Sequence, residues 1–330
     1  MKKILKNNYK FILTIIITLI ILSIRFPYYI DAPGGIEDMQ NKIEINGYKS
    51  EGSLNLAFVR EYRATIPTLI ISLFNKDFKV IKEDQVLLED EEIEEYNLRD
   101  KILMEESISN AIFVAYTYSN SNIEIKSNKL YVSYVTKESN TSIKVGDEIQ
   151  KIDNVSISNK NELKELVNSK KVNDKITLVV KNKDKYYERY AYIYEEDGKK
   201  IIGVLVSELT SYETDPKVNV KIENDESGPS GGLITALSIY NALTKEDITK
   251  KLKIVGTGTI DKDGSVGSIG GVEYKLKSAV KAHADIFLVP QDENYETAIK
   301  LKEKYKYDIK IYGVSTFEDA INILKSIDNK

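Results

Sequence analysis

Apolar positions change their spacing several times along the chain. From Lys217 onward, short apolar runs alternate with helical spacing. VNVKI, KIVGTGTI, IFLVP and IKIYGV read as strands, whereas Leu233–Leu243, Val272–Ala284, YETAIKLKEKY and TFEDAINILKSI read as helices. Strands alternating with helices predict an α/β domain. Upstream, LYVSYV (Leu130–Val135) alternates as a strand. IKVGDEIQKIDNVSI predicts a turn at Gly146-Asp147, a strand over Glu148–Ile152 and a turn at Asp153-Asn154. NKNELKELVNS reads as a helix capped by Asn159 or Asn161, and KITLVVKN as a further strand. Residues 83–115 have roughly helical spacing, with the acidic run Glu89–Glu95 as a solvated face. SLNLAFV and TLIISLF, between residues 40 and 80, mix strand-like and short helical patterns.

The N-terminal pattern differs from all of these. FILTIIITLIILSI (Phe11–Ile24) is uncharged and apolar on every face, which argues against a core helix. It falls short of the roughly 20 residues a spanning helix prefers, but counting on to Ile30 reaches that length, with Tyr28 and Tyr29 suited to an interface. A small-x-small cleavage site is missing around Ser23–Ala32, so an uncleaved anchor is expected rather than a signal peptide. Lys2, Lys3, Lys6 and Lys10 against Arg25 place the N-terminus in the cytoplasm. The expected location is therefore the cell membrane, single-pass, with everything after Ile30 extracytoplasmic. Asp31–Gly35 is read as a turn-rich exit from the membrane.

At 330 residues the chain is too long for one ordinary domain, and 30% charged against 42% hydrophobic residues make its bulk globular. A net charge of −4 without a long basic block argues against nucleic acid as a partner. There is no cysteine and a single histidine, His283. Disulfides, thiolate nucleophiles, zinc–cysteine sites and multi-histidine metal sites are excluded, and no metal or cofactor is expected.

Candidate chemistry lies in ESGPSGGLITAL, where glycines surround Ser230 at the start of an apolar helix. Three readings are open: a helix cap, a phosphate loop and a nucleophile. The sequence has no Gly-x4-Gly-Lys-[Ser/Thr], and Asp261 stands where a dinucleotide motif needs its last glycine, so no nucleotide is expected. A nucleophile needs a base. If that base is not His283, a lysine must lose roughly 3 pKa units through burial. In VEYKLKSAVKAH the apolar residues Val272, Leu276, Ala279 and Val280 share a face with Lys275 on its flank. Lys275 is thus either that base or a flank lysine with its amine in water.

Two family resemblances follow. The order strand, turn–strand–turn, helix, strand, with VGDEIQKIDN, resembles a PDZ domain. That implies peptide binding by strand addition along Leu130, Tyr131 and Val132, while KSNK before Leu130 lacks the glycines of a carboxylate-binding loop. GPSGG, then GTIDKDGSVGSIGGVEYK, resembles the two active-site motifs of Lon-type (S16) proteases, with Ser230 and Lys275 45 residues apart. The resemblance implies Ser230 as nucleophile, Lys275 as general base, Thr257 orienting the lysine, and backbone N–H groups near Ser230, Gly231 included, as the oxyanion site. Ser227, Gly231 and Thr259 depart from the acidic residue, alanine and glutamate usual there, and no ATPase module is present in these residues. Together with PYYIDAPGG and GSLNLAFV, the arrangement resembles the membrane-anchored PDZ/Lon-like proteases of bacteria, the YlbL-like group.

The expected fold is α+β and multidomain: an anchor over 1–30, a connecting α/β region over 31–121 that lends strands to the protease domain, a PDZ-like β domain over 122–200 and a Lon-type proteolytic α/β domain over 201–330. The expected function is ATP-independent serine endopeptidase activity on polypeptides presented or gated by the PDZ-like unit. The family's proteolytic rings imply a homo-oligomer. The alternative is a catalytically silent, membrane-tethered peptide-binding scaffold.

Overall fold

The computed structural model describes residues 8–45, 47–224, 226–244 and 246–327. Its larger sheet has six strands: β1 (Arg25–Asp38), β2 (Ser53–Thr65), β3 (Lys79–Lys82), β9 (Lys253–Gly256), β10 (Ile286–Pro290) and β11 (Lys310–Val314), in the order β11–β10–β9–β2–β1–β3. The three C-terminal strands and β2 run parallel, and β1 and β3 are antiparallel to their neighbours. Successive residues of β9 and β10 face opposite sides. Ile254, Ile286 and Leu288 meet helices α3 (Ile93–Tyr118), α5 (Gly232–Thr244) and α8 (Phe317–Ser326) on one face. Val255, Phe287 and Val289 meet α6 (Val272–Lys281) and α7 (Glu293–Tyr305) on the other. Covered on both faces, β10 is buried at every position, which is why IFLVP is a continuous apolar run. β2 lies between β1 and β9, so residues far upstream share the sheet of the C-terminal region.

A second sheet is inserted between α3 and the Ser230 turn. It contains β4 (Asn122–Val135), β5 (Glu148–Ile152), β6 (Lys175–Asn182), β7 (Lys185–Tyr192) and β8 (Val204–Asp215), in the order β8–β4–β5–β6–β7. Helix α4 (Lys160–Ser169) closes its core with Leu163 and Val167, and the Asn159 side chain accepts from Glu162 N–H as its cap. β8 pairs with β4 along its whole length, so this unit runs to Asp215 instead of ending at 200. Leu130 and Tyr131 are paired with β8 on one side and β5 on the other, and Val132 pairs with Val206 of β8. β4 therefore offers no free edge at these residues, and strand addition expected there is blocked by the protein's own strands. The outer strand on this side is β8.

The expected transmembrane anchor is not supported. Helix α1 (Tyr9–Leu22) has 14 residues, about 21 Å at 1.5 Å per residue, and among the described residues no helix is long and apolar enough to cross a membrane. The stretch that was to complete the span enters the sheet instead: Arg25–Ile30 begins β1, Ile30 is fully buried, and Asp31–Gly35 continues the strand. A single-pass membrane location loses its basis with it. Lys2, Lys3 and Lys6, which set the expected orientation, lie outside the described residues.

Helix α2 (Ile66–Phe74), short strands of two or three residues and short 3-10 turns complete the described architecture.

Candidate catalytic site

Ser230 lies in the short 3-10 turn Pro229–Gly231, which runs directly into α5. Gly228 enters the turn at φ +87°, a conformation open to glycine and costly for other residues. Four hydrogen bonds fix the turn. Gly228 N–H donates to Asp100 O (3.0 Å) and Ser107 Oγ to Pro229 O (2.8 Å). Gly258 N–H (2.8 Å) and Thr257 Oγ1 (3.1 Å) both donate to Ser230 O. The Ser230 side chain is half-buried, and among the described residues its hydroxyl has no hydrogen-bond partner. It is not serving as a cap, because the nearby Leu233 N–H is taken by Gly258 O at 3.1 Å.

Lys275 lies in the first turn of α6 and is only 3% exposed, among the apolar residues of the face that packs on the sheet. Burial alone pulls its amine from the usual 10.5 down to about 8. Its Nζ donates to Thr257 Oγ1 at 3.2 Å, and the same oxygen donates to Ser230 O. Thr257, fully buried at the carboxyl end of β9, thus joins the lysine to the serine turn. Lys275 and Ser230 Oγ are not directly hydrogen-bonded here; such contacts often tighten only when substrate binds. Gly231 follows the serine in the turn, and a Cβ there would meet Leu56 at 3.2 Å. His283 follows the C-terminal end of α6, exposed and eight residues beyond Lys275, roughly 12 Å along a helix axis.

Several contributors escape sequence reasoning. Ser107 and Asp100 come from α3, more than a hundred residues upstream, and nothing in DKILMEESISN marks them. Asp31 and Glu61 face each other across β1 and β2. Burial, with the Asp31 charge, lifts the Glu61 carboxyl to about 7 against the Tyr96 hydrogen bond, and Asp100 also adds to this field. Among the described residues, the carboxylate group with metal-like spacing is Glu37, Glu223 and Glu226, and the Lys42 ammonium sits among them, paired with Glu37 at 3.1 Å and with Glu226.

Residues 214–326 match the model of the Lon protease (S16) C-terminal proteolytic domain. That segment is therefore similar to the proteolytic domain of Lon proteases. The Lon protease of Campylobacter jejuni is 31% identical over 119 residues, 32% of this chain and 15% of that protein. The Lon protease of Clostridioides difficile is 28% identical over 149 residues, 42% of this chain and 18% of that protein. The chain thus spans less than a fifth of the length of these relatives. Among solved structures, the PDZ domain of an SdrC-like protein from Listeria monocytogenes is similar at 24% identity, over 23% of this chain and 85% of that one, with a TM-score of 0.22. The corresponding domain from Listeria innocua is 26% identical over 24% and 92%, with a TM-score of 0.22.

Proposed function

We propose that this chain is an ATP-independent serine endopeptidase in which Ser230 is the nucleophile and Lys275 the general base. The observation that carries this reading is the buried Lys275 amine, bonded to the Thr257 hydroxyl that also holds the Ser230 carbonyl. Ser230 Oγ attacks the peptide carbonyl carbon while its proton passes to neutral Lys275 Nζ. The lysine then gives that proton to the leaving amine, which leaves an acyl-enzyme that water hydrolyses with the lysine again as base. Thr257 keeps the amine oriented. The N-terminal end of α5 lends its partial positive charge to the oxyanion, with the Gly231 backbone N–H as a donor. No nucleotide motif occurs in these residues, and the reading takes cleavage by them to need no ATP. The inserted unit from 122 to 215 presents or gates the polypeptide. The order of parts fits the PDZ/Lon-like group.

The test is cleavage of denatured β-casein without ATP. Ser230→Ala is expected to lose cleavage. The wild-type rate is expected to rise about tenfold per pH unit below 8 and level off above it, because only the neutral amine accepts a proton. Retained cleavage in Ser230→Ala, or a rate flat from pH 6 to 9, contradicts the reading.

A further inference from the structure

One turn of α3 holds the serine loop on one side and the edge of the second sheet on the other. On the serine side, Ser107 Oγ donates to Pro229 O (2.8 Å), and Asn110 Nδ2 donates to Ile260 O (3.1 Å), just beyond Thr257. On the sheet side, Glu106 Oε1 accepts the Glu208 N–H at 2.9 Å. Ser109 Oγ donates to Thr210 O at 2.7 Å and accepts the Thr210 N–H at 3.3 Å. Among the described residues β8 is an outer strand paired only with β4, and α3 side chains satisfy its outward backbone at these two residues.

Charges reinforce the junction. Lys160 Nζ pairs with Glu106 at 2.7 Å, and Lys160 N–H donates to Glu208 Oε2 at 3.1 Å. Lys262 Nζ reaches Glu208 Oε1 and Thr210 Oγ1, each at 2.8 Å. Burial works to raise the Glu208 carboxyl, but the hydrogen bonds from Lys262 and from Lys160 N–H outweigh it and hold it below its ordinary range. Glu106, Lys160, Glu208 and Lys262 thus form a clasp joining α3, α4, β8 and the segment that follows Thr257.

We propose that this clasp makes Glu106 and Ser107 positioning residues for the serine turn: Glu106 sets the place of α3 by gripping the β8 edge, and Ser107 transmits that place to Pro229. The geometry favours this over a passive interface, because residues adjacent in sequence grip the two bodies and the Ser107 bond ends on the residue before Ser230. With Glu106 released, Ser107 no longer holds the Pro229 carbonyl in register. The turn is then assembled less of the time, while Lys275, buried on the opposite face of the sheet, keeps its surroundings. The activity part of this proposal rests on Ser230 being the nucleophile.

The test compares Glu106→Ala and Lys262→Met with wild type in the full chain, using a fluorogenic casein peptide and amide hydrogen exchange. Both variants are expected to lower kcat about tenfold, leave KM within twofold, and leave the midpoint of the pH profile unmoved. Exchange at Gly231–Leu233 is expected to rise at least tenfold while Leu178 and Val180, in the core of the second sheet, stay protected. Wild-type kcat with unchanged exchange at Gly231–Leu233 overturns the proposal. Exchange rising equally at Leu178 and Val180 overturns it too, since that marks a general loss of stability. Exchange is also read in the Ser230→Ala background, so the coupling is tested even if the nucleophile assignment fails.

Discussion

Lys275→Met is expected to abolish peptide cleavage and to raise the melting temperature. A flank lysine with its amine in water predicts neither result. Removing a general base lowers turnover by roughly 10²–10⁴-fold, and the full loss is expected here because nucleophile and base act as a unit. The stability gain follows from burial. Moving the amine from 10.5 to about 8 corresponds to a folding penalty on the order of 3 kcal/mol at neutral pH. Losing the hydrogen bond to Thr257 returns about 1 kcal/mol, so methionine, similar in length and apolar, leaves a net gain of about 2 kcal/mol. The sign has a pH signature. The unfolded chain keeps its proton to about 10.5 and the folded one only to about 8, so wild-type stability increases between these values. The advantage of the methionine variant is therefore full below pH 8 and shrinks toward pH 10.5. Thermal unfolding followed by circular dichroism across that range reads it. A variant less stable than wild type at pH 7 contradicts the burial argument.

Gly232→Ala is expected to destabilise the protein by about 2–3 kcal/mol or more and to lower kcat at least tenfold. Helix propensity alone predicts the opposite, since alanine exceeds glycine by about 1 kcal/mol in a helix interior. Packing decides the sign. A Cβ on Gly232 would stand 2.4 Å from Ser107 Oγ, 2.7 Å from Ile260 Cγ2 and 2.9 Å from the Ile260 backbone nitrogen. Backbone cannot yield as a flexible side chain does, and overpacking of this kind costs about 1–3 kcal/mol, occasionally more. The strain falls on the helix start that follows Ser230 and on the Ser107 contact that fixes the turn. Gly231→Ala is the control. Its nearest neighbour is the Leu56 side chain at 3.2 Å, which can shift, so most activity and stability should remain. Chemical denaturation together with kcat for the pair checks this; equal effects in both variants would contradict it.

Much of the C-terminal region is legible in the sequence because its elements are local. IFLVP is apolar at every residue since both faces of β10 are covered, and the helices show the spacing their buried faces require. The nearness of Lys275 to the serine turn has a sequence trace in two glycine-flanked motifs. The depth of its burial does not, because its position on the flank of the apolar stripe also fits an amine in water. What closes over it is the sheet beneath α6, a non-local contact. The placement of β2 between β1 and β9 is likewise set by pairing across some 200 positions of sequence. LYVSYV reads correctly as a strand, but alternation reports which faces are apolar and says nothing of which edges are taken, so β8 and β5 at its sides were not foreseen. At the N-terminus, apolar counting runs through Ser23 without seeing that Arg25 opens a strand whose apolar residue Ile30 is buried in the sheet.

The central claim is that buried Lys275 activates Ser230. The most direct measurement is intact-mass and peptide mapping of the full chain treated with a fluorophosphonate, which labels serines whose hydroxyl is activated. The account predicts one label per chain, on Ser230, forming faster as pH rises toward 8 and absent in Lys275→Met. Labelling of Ser230 at the wild-type rate in Lys275→Met, or labelling on another residue with Ser230 untouched, would contradict it.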